Sequence, residues 1–301
     1  MTAPELIELG FQPQCLKYVY PQLQRMSESG MTAKKMAQAL KRVVDHPHNY
    51  VKDDNFGELA QALLSAKPAV VFKEREEDAP WRQWGEDLEK EAVDQMRRAC
   101  RLPVSVRGAL MPDAHTGYGL PIGGVLATRG TVIPYAVGVD IACRMKLTVL
   151  DMPVGALKER EEALTKALEE ETAFGMGANF SKPRNHDVMD EDWGFVPVTR
   201  KSKDKARAQL GSSGGGNHFA EFGELHVETP QLGLQPGRYL ALLTHSGSRG
   251  AGSAVANHYS QLAMDLHPEL PKELRHLAWL DLDSEAGQEY WLAMNLMGRY
   301  A

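Results

Sequence analysis

Cysteine is scarce in this chain. Cys15, Cys100 and Cys143 are the only three in 301 residues, too few and too scattered for a disulfide framework. A reducing cytoplasm fits that usage. Long apolar runs are missing as well. None approaches the roughly 18–20 residues that span a bilayer, so no membrane partner is expected. The opening MTAPELIELGFQPQ has an early acid and no basic start before an apolar stretch, which is not the secretory signal pattern. Positive charge is not in excess either. A net charge of −6 excludes a surface coated with basic residues for bulk nucleic-acid binding, while a local basic groove stays open. What remains is an ordinary globular composition, 43% hydrophobic and 25% charged, with length enough for one large domain or two smaller ones.

The first 73 residues or so read as a helical unit. Met36, Leu40, Val43 and Val44 recur at helical spacing across Thr32–Asp45, with Thr32 as N-cap and His46-Pro47 as the stop. A second helix is expected over Asp53–Ala66. His46 and His48 flank a proline in what reads as an exposed turn, and the charge run Lys73–Asp78 reads as a solvated linker. The expected division is a helical extension over residues 1–78 and one further domain over 79–301. In that second part a helix is expected over Gly85–Cys100, with Cys100 as a core thiol. Strands are expected over Val104–Met111, Gly124–Thr128, Thr131–Val139, Met145–Leu150 and Tyr239–Thr244. Helices are expected over Val154–Thr172, Gly252–Leu266 and Ser284–Ala301, with a long polar excursion from Phe174 to about Leu210. Helices and strands in this order, without repeated βαβ units, predict an α+β fold of mixed sheets with flanking helices.

Chemistry gathers in a few glycine-rich stretches. Met111–Leu150 holds two acid-bearing clusters, Asp113-Ala114-His115 and Asp140-Ile141-Ala142-Cys143. Glycine lets backbone approach a ligand and adopt φ values other residues avoid, which a metal or phosphate site uses. Asp140 and Cys143, three apart, offer a hard carboxylate and a soft thiolate, a pair compatible with zinc, manganese or iron. The competing reading is a buried Cys beside a capping Asp. His218 follows three glycines, with Asn217 before it and Glu221 after, a setting suited to an anion nest. His245 is followed by small residues and Arg249, whose fork of donors matches phosphate oxygens. The glycines match neither the P-loop nor the dinucleotide fingerprint. One dense basic run, Arg200–Arg207, precedes the Gly-rich loop, either to steer a phosphate backbone or as a solvated loop.

Taken together, MPDAHTGYGLPIGG, VIPYAVGVDIACRM, GGGNHFAEF and HSGSRG resemble the RtcB family of RNA ligases, over roughly Trp84 to Ala301. The resemblance implies a GTP- and manganese-dependent ligase that joins RNA 3′-phosphate or 2′,3′-cyclic phosphate ends to 5′-hydroxyl ends through a guanylylated histidine. An archease-type activator is a further implied partner. By motif, Asp140, Cys143, His218 and His245 match the family's metal ligands, with Cys143 bridging two ions. Asn217, His218, Phe219, Ala220 and Glu221 match the guanosine-nucleotide contact, and Arg249, Asp113, His115 and Arg144 are the phosphate or RNA candidates. There are departures. Gly117-Tyr118-Gly119 stands where the family commonly has Gly-Lys-Gly, and Ala142 and Arg144 stand where its corner commonly has glycines. No histidine here, His258 and His276 included, sits in the family's nucleophile context. The expectation is a C-terminally incomplete member, inactive by itself, with a metal-dependent phosphoesterase or a metal-binding RNA-end module as the alternatives.

Overall fold

Residues 1–65 and 72–301 are described by the structure, a computed structural model. In chain order the first elements are α1 (Ala3–Glu8), α2 (Leu16–Glu28), α3 (Ala33–Asp45) and α4 (Gly57–Ser65). There follow β1 (Trp81–Gln83), α5 (Lys90–Cys100), β2 (Ser105–His115), β3 (Ile122–Thr128), β4 (Thr131–Val132) and α6 (Pro134–Val137). Next come β5 (Arg144–Val149), α7 (Ala156–Glu159), α8 (Glu161–Glu171), α9 (Pro197–Gln209), β6 (Phe219–Val227) and β7 (Gly237–Ser246). The chain closes with α10 (Arg249–Leu266), β8 (Leu280–Asp281) and α11 (Glu285–Tyr300). Separate small sheets with helices around them make this an α+β protein. The residues form two compact units, Met1–Ala136 with Tyr259–Gln288, and Val137–His258 with Glu289–Ala301. Among the described residues no helix is long and apolar enough to cross a membrane.

In the first unit, helical spacing sets the N-terminal core. Thr32 is extended ahead of α3 and His46 leaves helical backbone behind it, as the sequence predicts. Leu40 and Val43 of α3 are buried with Leu6, Phe11, Cys15, Val19 and Leu59. Each such side chain contributes about 1.5–3 kcal/mol on burial. Helix α4 starts later than expected because the Asp53 carboxylate accepts the backbone N–H groups of Asn55 and Phe56, each at 2.9 Å, and holds a turn there. The far end of that expected helix, Ala66, lies outside the described residues. His46 and His48 are exposed. The charge run is exposed from Lys73 to Glu77 and half-buried at Asp78, yet tied down. Arg101 at the end of α5 donates to Asp78 at 2.8 Å and Glu74 at 3.4 Å, and its carbonyl accepts from the Arg75 N–H.

The first sheet has the order β1-β2-β3, β1 parallel and β3 antiparallel to β2. Helix α5 packs on one face, burying Met96 and Cys100 against Leu110 and Ala114. It starts at Lys90 rather than near Gly85, because Gly85 takes φ +91°, outside helical backbone. The strand expected over Thr131–Val139 is corrected. Only Thr131 and Val132 pair, with Asp281 and Leu280, and Pro134 then opens the helical turn α6. Proline's fixed φ suits a first helical position and its missing N–H cannot serve a ladder.

In the second unit, β7 is the central strand of an antiparallel sheet ordered β5-β7-β6. Strand β6 is not among the strands that the sequence predicts, and the polar excursion contains a further helix, α9, opened by Pro197 at its first turn. The basic run therefore lies on a helix. The helix expected over Val154–Thr172 is split into α7 and α8 at Arg160, where φ is −125°. The core closes around Trp193, whose indole meets Tyr300 edge to face at 5.6 Å. The Tyr300 hydroxyl donates to the Ala206 carbonyl of α9 at 2.8 Å.

Candidate metal centre

Where α6 ends and β5 begins, the chain turns through Asp140-Ile141-Ala142-Cys143. Ile141 is buried, and Ala142 adopts φ +58°, so the backbone reverses and both flanking functional side chains face the same way. A left-handed conformation costs an alanine about 1–2 kcal/mol. The Cys143 thiol donates to Asp140 Oδ2 at 3.4 Å. Opposite them stands His218, at the end of the glycine loop before β6, with Nε2 2.9 Å from Asp140 Oδ2 and 3.2 Å from Cys143 Sγ. His245 comes from β7, in register with Met145 on one side and Phe219 on the other. One ligand atom each from Cys143, His218 and His245 lies within 4.8 Å of the others.

Backbone carbonyls fix both imidazoles. His218 Nδ1 meets the Ser213 carbonyl, and His245 Nδ1 meets the Asn217 carbonyl at 3.1 Å. A carbonyl oxygen can only accept, so each Nδ1 carries a proton, and Nε2 is the ring nitrogen left for a metal. The His218 Nε2 therefore faces a carboxylate oxygen and a sulfur. Ser213 is pinned in turn, its carbonyl also accepting from the Ser246 hydroxyl at 3.1 Å and its own hydroxyl donating to the His245 carbonyl at 3.2 Å. Such outer partners set the tautomer and aim of ligating histidines.

Two further observations fit these residues to a cation. Asp140 Oδ1 is buried without a hydrogen-bond partner among the described residues. A lone electron-rich oxygen of this kind costs free energy unless a cation or donor reaches it. Gly247 faces the same carboxylate: a Cβ there would overlap both Asp140 oxygens, so only glycine leaves the group its place. Burial, then the Asp140 charge, pushes the Cys143 thiol up to about 11. At neutral pH the ion-free site thus holds a thiol, and a metal has to displace its proton.

Arg249 sits beside the glycine loop at φ +54°, donating Nε to the Ser212 hydroxyl and Nη2 to the Gly175 carbonyl, both at 3.2 Å. A Cβ on Gly214 would meet both the Arg249 guanidinium and His218 Nδ1. The guanidinium lines a cavity of about 190 Å³ with Ser212, Gly247 and Phe219. Asn217 and Glu221 are exposed, Phe219 rests its ring 5.7 Å from His245, and Ala220 is half-buried on β6. Arg144 is exposed at the start of β5, its guanidinium over Gly298. Asp113 and His115 belong to the first unit, exposed at the end of β2, where His115 Nδ1 turns back to the Asp113 carbonyl at 2.9 Å. Sequence reasoning missed Ser213, Gly247 and the strain at Ala142. Only the last left a signal, an alanine where the family corner commonly has glycine.

The RtcB family model, described as tRNA-splicing ligase RtcB, matches residues 95–301. The chain is 31% identical over 239 residues to the RNA-splicing ligase RtcB of Escherichia coli K12, covering 72% of this chain and 56% of that protein. It is 28% identical over 255 residues to the tRNA-splicing ligase RtcB of Archaeoglobus fulgidus, covering 71% and 53%. With the RNA-splicing ligase RtcB homolog 2 of Entamoeba dispar it shares 24% over 321 residues, covering 93% and 57%. The chain thus spans about half the length of the curated relatives it matches. That match takes in every residue of the Cys143 cluster, and on it the chain belongs to the RtcB family.

Proposed function

We propose that this chain carries the metal-holding part of an RNA ligase that uses GTP and manganese to join 3′-phosphate or 2′,3′-cyclic phosphate ends to 5′-hydroxyl ends. The observation that carries the reading is the convergence of Cys143, His218 and His245, with Asp140 holding an orphaned buried oxygen beside them. Asp140, Cys143, His218 and His245 would hold two Mn²⁺ ions. Bound there, divalent ions supply Lewis-acid polarisation of a phosphoryl oxygen and neutralise charge as it develops.

The chain's own residues do the rest. Through their carbonyls, Ser213 and Asn217 hold the Nδ1 sides of His218 and His245, which leaves each Nε2 for an ion. Arg249, with Nε tied to the Ser212 hydroxyl and Nη2 to the Gly175 carbonyl, keeps further donors for a phosphate oxygen. The stretch Asn217–Glu221 is the proposed guanosine-nucleotide contact, and RNA ends are the proposed substrate, with an archease-type protein as a proposed activator. Guanylylation needs a nucleophile in line with the α-phosphate, and we assign that role to none of these 301 residues. Incubation with radiolabelled GTP and Mn²⁺ followed by a denaturing gel is expected to leave the chain unlabelled. A labelled band at its mass would place the nucleophile here, with His258 or His276 the first to replace.

A further inference from the structure

The β1-β2-β3 sheet of the first unit has one face on α5 and one without a covering element among the described residues. Gly108 and Leu126 pair on the α5 side, with Trp81 opposite Gly108. By strand alternation the next row, Arg82, Ala109 and Val125, points the other way, as does the row of Arg107 and Ala127. Trp84 completes this face, and together these six residues line an open cavity of about 600 Å³. Its floor is alanine, low enough for a flat ring to approach the sheet. One wall is an indole, 46% exposed, and Val125 is 57% exposed. Arg82 and Arg107 are both exposed, and among the described residues neither guanidinium meets a carboxylate or a carbonyl.

From this we infer that the open face of the β1-β2-β3 sheet docks single-stranded RNA, a base stacking on Trp84 over the alanine floor and Arg82 and Arg107 taking the flanking phosphates. The inference rests on the reading of the chain as handling RNA, and it adds a strand-holding surface apart from the metal cluster. Two unpaired guanidinium groups on a chain of net charge −6 form a local positive field that selects a polyanion. An apolar protein partner would leave both charges to be desolvated without a counter-charge. An exposed indole beside unpaired arginines on an open sheet is the combination that binds single strands with little regard to sequence, since every base has a π-face.

The test is fluorescence anisotropy with a short unstructured RNA ending in 3′- and 5′-hydroxyls, in excess chelator, so that the metal cluster contributes nothing. Trp84→Ala should weaken binding about tenfold, and Trp84→Phe should retain most of the affinity. In the double variant Arg82→Glu with Arg107→Glu, the slope of log K against log salt should flatten by about 1.4, two single-strand phosphate contacts. Unchanged affinity and slope in all three variants, with the parent chain binding RNA, would overturn this surface and leave the ligase reading standing. No RNA binding by the parent chain under these conditions would likewise overturn this surface, and the ligase reading is tested apart by binding of a 3′-phosphate RNA in Mn²⁺. Thermal unfolding of each variant keeps misfolding separate. A shift of Trp84→Ala in sedimentation with RNA affinity unchanged would give the face to a protein partner instead.

Discussion

Two acid-bearing corners, Asp113-Ala114-His115 and Asp140-Ile141-Ala142-Cys143, look alike in sequence, each set among glycines after an apolar run. Their structures differ. The first stays in the strand β2, whose alternation buries Ala114 and sends Asp113 and His115 outward. The second breaks the strand expectation twice, at the helical turn opened by Pro134 and at Ala142 with its positive φ. That break lets Asp140 and Cys143 converge with His218, while His115 turns back to the carbonyl of Asp113 on its own strand. Residue types nominate a site; a reversal of the backbone makes one. The three cysteines repeat the point. Burial raises all three thiols to about 11, but Cys15 and Cys100 face apolar cores and Cys143 faces a carboxylate and an imidazole.

The comparison can be broken most directly by exchange of loss. Cys143→Ala should lower Mn²⁺ affinity about a hundredfold or more by calorimetry, because the thiolate has no substitute within reach. The double variant Asp113→Ala with His115→Ala should leave that affinity unchanged. Equal losses from the two corners would mean that both hold the ion. Next in size, Gly247→Ala should cost about tenfold in metal affinity, as its Cβ displaces the Asp140 carboxylate. Retained affinity in a folded variant would remove Asp140 from the cluster. The smallest effect sharpens the comparison. Ala142→Gly should raise stability by up to about 1 kcal/mol in denaturant unfolding, relief at a positive φ outweighing glycine's looser unfolded chain. A destabilised variant would show that Ala142 is not strained.

Much of the fold was legible wherever local signals agreed. Thr32, the Met36–Leu40–Val43–Val44 spacing and His46-Pro47 mark out α3 because cap, period and stop coincide. The α+β class followed from the order of elements. The strand β6 was not legible, because Gly214–Asn217 ahead of it reads as a loop and its burial does not alternate cleanly. Nor was α9, since a run of lysines and arginines has no apolar stripe to announce a helix; Ala206 and the small polar Thr199 and Ser202 form its buried side. At the cluster, the proximity of Asp140, Cys143, His218 and His245 was legible from motifs. The groups that aim the imidazoles were not, because they are carbonyls of Ser213 and Asn217 and every residue has one.

Because main-chain oxygens do that aiming, the loop before β6 works as a ruler. From Ser213 to His218 the chain must return a ring to a carbonyl five residues back, while Ser246 and His245 hold Ser213 still. A side chain at Gly215 would touch none of this, whereas one residue added or removed would shift His218 off its carbonyl and out of line with Cys143. Variation in this segment among functional relatives should therefore spare its length.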